Sequence, residues 1–441
     1  LGAFDLLLHR GEANPRTRSG VMALEILDTT PDWNRYRACF ENASRKVLRL
    51  RQKVVMPTLP TAPARWVVDP DFNLDFHLRR VRVPEPGTIR EVFDLAEIIL
   101  QSPLDISRPL WTATLVEGLE GGKAVSLLHL SHAVTDGVGA IQMFAEIYDL
   151  ERDPPARPVP PMPVPQDLSP NDLMRQGINQ LPGKIVGGVV SAVAGSAAAL
   201  GRAITNPGTA VWDAVDYARS GRRVVSRAAE PSPLLRRRSL STHTEAIEVP
   251  LADLKRAAHA GNGSINDAYL AGLCGALRLY HQELGVPISK LPMAVPVNLR
   301  SDADPAGGNR FSGINLAAPI GVSDPVLRMA KIHKQMIQRR EEVAIDMIGW
   351  VAPVLTFLPD QVLESMSSSA LGSDVQASNV PVFPGDTYLA GAKVLRQFGL
   401  GPLPGVAMMV VLVSRGGYVT VTARYDRASF AHGELFADCF Q

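Results

Sequence analysis

LLHLSHAVTDGVGA, residues 127–140, changes from an apolar run to a polar turn at His132, with Asp136 and Gly137 four and five positions later. Ala124 to Leu130 has the apolar continuity of a buried strand, and Val138, Ile141, Phe144, Ala145 and Tyr148 then recur at helical spacing. A histidine at such a junction admits two readings. As a base, it has a backbone held by the sheet while its imidazole faces a crevice, and an ordinary pKa of about 6.5 lets the neutral ring take a proton from an alcohol near pH 7. As a core residue, it is simply buried and hydrogen-bonded. Asp136 suits an orienting carboxylate, paired with an arginine or capping the next helix, and Gly137 permits close approach or positive φ. On these residues alone both readings stay open.

Composition narrows the classes. The chain has 441 residues, 46% hydrophobic and 20% charged, enough for two cores. With 45 basic against 44 acidic residues, no field of one sign favours nucleic acid. Cys39, Cys274 and Cys439 lie far apart and fit no metal or redox spacing, which suggests a reducing cytoplasm. No basic-then-apolar signal opens the sequence, so secretion has no support.

Proline and glycine mark the organisation. DPPARPVPPMPVPQDLSP, residues 153–170, is too rich in proline for helix or central strand and reads as a stiff connector. The Gly/Ala-rich segment 181–215 is uncharged from Ile185 to Gly201, too short and too diluted with small residues for a full membrane span of about 20 apolar residues. A close-packed helix is the better reading, ahead of a membrane-surface helix. The arginine-rich run 219–238 reads as a solvated connector that would also suit phosphate groups. Further on, Ser264 stands three residues before Asp267, ahead of Leu270, Leu273, Leu277 and Tyr280 on one helical face, close to a capping box. Another helix starts at Asp324 and Pro325, and Arg415, Gly416 and Gly417 close a hairpin between two β-rich runs. The class is α/β or mixed α+β, divided into residues 1–152, a crossover 153–240, and residues 241–441.

His132, Asp136 and Gly137 resemble the HHxxxDG motif of CoA-dependent acyltransferases. Further stretches, in order, resemble the bacterial wax ester synthase/acyl-CoA:diacylglycerol O-acyltransferase branch. Pro109, Leu110 and Trp111 match its PLW motif; Asn266 and Asp267 match its ND motif; VPVNLR ends in Arg300; GNRFSGINL follows from Gly308; and Ser378, Asn379 and Val380 open SNVP. Two departures stand out. Ser131 replaces the first of the two motif histidines, and Val382 replaces the glycine expected after Pro381.

The resemblance implies two chloramphenicol-acetyltransferase-like lobes, each a mixed sheet with helices, joined by a long crossover. It also implies the catalytic histidine in a tunnel between them. His132 would then be the base of a direct transfer from acyl-CoA to a lipid hydroxyl, with no acyl-enzyme, no metal and no redox cofactor. Asp136 is expected as an orienter with Arg300 as its candidate partner, and Asn266 as a candidate oxyanion donor. Asp267 has a sufficient capping role, Ser378 and Asn379 either donate to substrate or make a turn, and Pro109, Leu110 and Trp111 pack. His129 is read as a core histidine and Cys274 as buried filler; His9, His77 and His432 carry no motif. The expected substrates are acyl-CoA with diacylglycerol or a long-chain alcohol, and the expected place is cytoplasmic, at a membrane or lipid-droplet surface. Two alternatives remain: another lipid or polyketide-derived alcohol as acceptor, or a lipid-binding homologue without turnover.

Overall fold

The computed structural model describes residues 1–59, 62–134, 143, 145–155, 158–180, 228–298, 311–340, 360, 372–380, 382–383 and 385–441. Two six-stranded mixed sheets carry the fold. The order in the first is β4 (Leu78–Arg82), β5 (Trp111–Leu119), β6 (Lys123–Ser131), β1 (Gly20–Leu27), β12 (Ala392–Leu400) and β11 (Tyr388–Leu389). Within it only β4 and β5 run parallel. In the second the order is β7 (Thr242–Pro250), β14 (Tyr418–Asp426), β13 (Met408–Arg415), β10 (Val375–Val380), β8 (Leu291–Asn298) and β9 (Phe311–Ala318). There β10 is parallel to both neighbours and the remaining pairs are antiparallel. A separate antiparallel pair joins β2 (Gln52–Val55) and β3 (Arg65–Val68).

Helices cover these sheets through apolar stripes. In the first lobe, α2 (Trp33–Lys46) lays Tyr36, Phe40 and Ala43 against Trp111, Ala113, Leu115 and Leu128. On the opposite face α4 (Ile89–Gln101) packs Val92, Phe93, Ala96 and Leu100 against Met22, Leu24, Val125 and Leu127. The alternation of strand side chains supplies both faces, and strands buried on both sides have the continuous apolar character read in β6. In the second lobe, α6 (Ile265–Glu283) and α7 (Pro325–Arg340) pack with α8 (Gly433–Phe440) on one face of the sheet. Cys274 is fully buried in that core, where burial pushes its thiol up to about 12.

The local signals read from sequence form as expected. The Ser264 hydroxyl accepts from the Asp267 N–H at 3.1 Å and the Asp267 carboxylate accepts from the Ser264 N–H at 2.8 Å, a reciprocal cap that starts α6. Asp324 accepts from the Leu327 N–H at 2.8 Å and caps α7. Gly416 and Gly417, at φ of 58° and 78°, close the β13–β14 hairpin in the two-residue turn whose twist matches paired strands. The proline-rich run crosses residues 158–169 without helix or strand, and Gln166 bonds the Val68 backbone in both directions, at 3.0 and 3.3 Å. A helix starts at residue 170, where Ser169 and Asp172 cap each other and Leu173 is buried with Val55 and Val67. The Gly/Ala-rich segment 181–215 and the arginine-rich run as far as residue 227 lie outside the described residues. Among the described residues no helix is long and apolar enough to cross a membrane.

The sheets do not follow the chain order strictly. β11 and β12, from the C-terminal third, complete the first sheet beside β1. β12 also lies against the second sheet. A Cβ on Gly399 would stand 2.7 Å from the Val411 side chain, and one on Gly401 2.6 Å from that of Met409, so glycine is what lets the strands approach. Beside this contact Arg424 of β14 places its Nε 3.2 Å from both carboxylate oxygens of Glu97 on α4. The hydroxyls of Thr242 and Thr244 donate to the same carboxylate, and Arg424 also reaches the Gly401 carbonyl at 3.3 Å. Both charges are buried, so this ion pair holds the lobes together with nearly every lone pair used.

A second buried carboxylate has no ion-pair partner of that quality. Glu25 of β1 accepts a hydrogen bond from the Tyr148 hydroxyl, with Tyr36 bonded to Ser126 at 2.9 Å on the neighbouring strand. Burial pushes Glu25 up to about 7, against the opposing pull of Tyr148 and the Arg415 guanidinium.

Two outcomes are expected. Arg424→Met alone strands a buried carboxylate and should cost about 3–5 kcal/mol in urea unfolding, whereas adding Glu97→Leu should recover most of that loss. Because Glu25 holds its proton more tightly in the folded chain, stability falls as pH rises from its ordinary value of 4.5 to about 7. Glu25→Gln should therefore stabilise by about 2–3 kcal/mol at pH 8, and the gain should vanish below pH 4.5, as followed by thermal melts across pH.

Candidate active site

The motif histidine stands just past the end of β6, where the sheet continues to hold the backbone. The last register pair of β1 and β6 is Gly20 with Ser131. One residue further, the His132 N–H donates to the Ser19 carbonyl at 3.0 Å, while on the other side the Ser131 N–H donates to the Leu110 carbonyl at 3.0 Å. The turn is therefore suspended between two strands. It then tightens: the Ser131 carbonyl accepts from the Val134 N–H at 3.0 Å and its hydroxyl accepts from the Ala133 N–H at 3.2 Å. Ser131, Ala133 and Val134 are buried, whereas His132 is half-buried.

The PLW residues pack, and in packing they aim the turn. Trp111 is fully buried, stacked on His77 with ring centroids 4.5 Å apart and on Phe40 at 5.8 Å, and its indole N–H donates to the Leu50 carbonyl at 2.8 Å. His77 Nδ1 donates back to the Trp111 carbonyl at 2.7 Å, and burial lowers its pKa to about 4. Pro109 and Leu110 are buried beside it, and Leu110 supplies the carbonyl that holds Ser131.

His129, on the same strand face as Ser131, is a core histidine. It is buried against Gly20, where a Cβ would come 2.7 Å from its Nε2, and burial first, then the Arg424 charge, lowers its pKa to about 3. His9 is likewise buried and lowered to about 4. His132, the motif histidine, is half-buried just past the end of the strand.

The other predicted residues divide between the lobes. Asp136, Gly137 and Arg300 lie outside the described residues. Asp267 is buried, and besides the cap its Oδ2 accepts from His333 Nδ1 at 2.8 Å. Asn266, beside it in the first turn of α6, is half-buried. Ser378, Asn379 and Val380 end β10, opposite Val411, Leu412 and Val413. As strand neighbours they alternate in direction. Val380 packs with Val382 and Leu403 on Met409, Val411 and Val413, the face turned toward β12; Ser378 shares its parity, and Asn379 is exposed. The structure thus brings Ser131, His132 and the PLW residues into one cluster, with the ND and SNV residues on the second lobe.

Two residues of that cluster carry no motif. The Glu12 carboxylate, 1% exposed, accepts through Oε1 from the Ser131 hydroxyl at 2.7 Å, the Ser19 hydroxyl at 2.7 Å and the Ser19 N–H at 3.2 Å. The sequence carries no local sign of this, since Glu12 follows α1 (Ala3–Gly11) in an unpatterned segment 119 residues from Ser131. Among the described residues no cluster of three or more His, Cys, Asp or Glu is placed to hold a metal.

Comparison with known proteins identifies the family. The model of the wax ester synthase/diacylglycerol acyltransferase catalytic domain matches residues 1–269, and that of the WS/DGAT C-terminal domain matches residues 307–441. A Mycobacterium tuberculosis H37Rv protein named "Putative diacyglycerol O-acyltransferase" is 71% identical over 441 residues, covering 100% of this chain and 90% of its own. The wax ester synthase/diacylglycerol acyltransferase from Marinobacter aquaeolei VT8 has a similar structure, with a TM-score of 0.61 at 20% identity, over 96% of this chain and 92% of the other. The starter condensation domain of rhizomide synthetase, in a mutant complex with C8-CoA and Leu-SNAC, shares the fold at a TM-score of 0.56 and 13% identity, covering 99% and 91%.

Proposed function

The chain belongs to the wax ester synthase/diacylglycerol acyltransferase family and is an acyltransferase, and from that premise we propose that it moves a long acyl chain from acyl-CoA to the hydroxyl of diacylglycerol or a long-chain alcohol, with His132 as general base. The observation that carries this reading is the placement of His132: a half-buried histidine on a turn held by the carbonyls of Ser19 and Leu110, the residues that lead into β1 and β5. His132 takes the proton of the acceptor hydroxyl as its oxygen attacks the thioester carbonyl. The tetrahedral oxyanion collapses, the carbon–sulfur bond breaks, and the imidazolium returns the proton to the CoA thiolate. No acyl-enzyme forms and no cofactor takes part.

Further support comes from residues with unused capacity. Asn266, half-buried at the start of α6, is the candidate donor to the oxyanion, with Ser378 as a second polar group on the inward face of the second sheet. Asp136 is assigned to orient the turn, and Arg300 to pair with it. Closure between lobes keeps water from hydrolysing the thioester. Acceptors this apolar reside in bilayers or lipid droplets, so the protein works at such a surface from the cytoplasmic side, and the Gly/Ala-rich segment 181–215 is the assigned contact.

Thiol release from acyl-CoA, with and without diacylglycerol or hexadecanol, tests the chemistry. His132→Ala should lower acceptor-dependent release by about 10²–10⁴-fold; release that survives the substitution removes His132 as base, and a wild type inactive with every acceptor removes the enzyme reading. Deleting residues 181–215 should abolish flotation with liposomes, and unchanged flotation refutes the docking assignment.

A further inference from the structure

We propose that Glu12 and Ser131 form a positioning pair that sets the attitude of His132, so that the serine standing in place of the first motif histidine orients the base instead of meeting substrate. The inference rests on the reading of His132 as the base. The single O–H of the Ser131 hydroxyl and one of its two lone pairs are used within the protein. It donates to Glu12 Oε1 at 2.7 Å and accepts from the Ala133 N–H at 3.2 Å, and the residue has no exposed surface. Ser131 is therefore neither a nucleophile nor a substrate ligand.

Glu12 reaches both sides of the histidine. Ser19 bonds the carboxylate through its hydroxyl and its N–H, and the carbonyl of the same Ser19 accepts the His132 N–H at 3.0 Å. Ser131, peptide-bonded to His132, bonds the same oxygen. A single acceptor thus clamps the first residues of one strand to the last of its neighbour, where the ladder ends and pairing would otherwise fray. Bonds to a carboxylate are stronger and shorter than neutral ones, which suits a fixed geometry. Glu12 Oε2 is buried with no hydrogen-bond partner among the described residues. Packing alone would favour a residue without that unsatisfied oxygen. A base must lie within about 3 Å of the proton it takes, and a displacement of about 1 Å costs on the order of 100-fold in rate, so an anchor of this kind acts on turnover.

The test uses the full chain, with palmitoyl-CoA and hexadecanol or diacylglycerol, and compares wild type with Glu12→Gln, Ser131→Ala, Ser131→Thr and the double variant Glu12→Gln/Ser131→Ala. For folded protein below its melting temperature, the expected result is a kcat at least 10-fold lower for Glu12→Gln and Ser131→Ala. KM for acyl-CoA should stay within twofold, Ser131→Thr should recover to within threefold of wild type, and the double variant should be no worse than the poorer single. Unchanged kcat in both singles, or losses that multiply in the double, overturns the pair. A second readout needs no turnover: carbethoxylation of His132 by diethyl pyrocarbonate, followed by peptide mass spectrometry, should speed up at least threefold in Ser131→Ala and Glu12→Gln but not in Ser131→Thr. Equal rates overturn the proposal. A wild type without turnover would remove the proposed reaction, and the carbethoxylation rates would still decide the pair.

Discussion

Two backbone hydrogen bonds hold the turn that carries the motif histidine: Ser131 N–H to the Leu110 carbonyl, and His132 N–H to the Ser19 carbonyl. The acceptors are the residues that lead into β1 and β5, on opposite sides of β6, so the turn that carries His132 is tied to the sheet at both sides. Everything packed around them serves that purpose. Trp111, pinned by Leu50, Phe40 and His77, holds the Leu110 carbonyl, and Gly20 leaves room for His129 beneath the same turn. Buried residues of the scaffold in this way fix where the backbone of His132 sits.

The second lobe meets this arrangement through a narrow contact. Gly399 and Gly401 let β12 approach the Met409 and Val411 side chains, and Glu97 with Arg424 converts that contact into a directional one. Apolar packing would tolerate sliding between two sheets. An ion pair in which one arginine N–H is shared between both carboxylate oxygens, supplemented by two threonine hydroxyls, does not, because a small shift would break several bonds to one buried carboxylate at once. The inward face of the second sheet, with Ser378 and Val380, is presented to the first lobe in a fixed register.

Local chemistry was readable in the sequence and distant chemistry was not. The cap of Ser264 and Asp267, the start of α7 at Pro325 and the glycine turn of the last hairpin rest on interactions within a few residues and form where their patterns predict, and the strand read over Ala124 to Leu130 runs one residue further at each end. The motif order likewise pointed to the two-lobed fold of the family. Glu12 escaped because its partners are Ser19 and Ser131, and a lone glutamate after a short helix has no periodicity to betray it. Glu97 and Arg424, separated by 327 residues, escaped for the same reason. The joining of β12 to the first sheet was equally hidden, since an alternating strand looks the same whichever edge accepts it.

That strand also orders events in time. The first sheet begins at Gly20, yet the neighbour of β1 on one side is β12, synthesised only at residues 392–400. Until the ribosome has delivered that segment, β1 presents an open edge, the kind of surface that pairs with other chains. The N-terminal lobe of a nascent chain therefore remains unfinished through most of translation, and its completion coincides with the arrival of the C-terminal sheet.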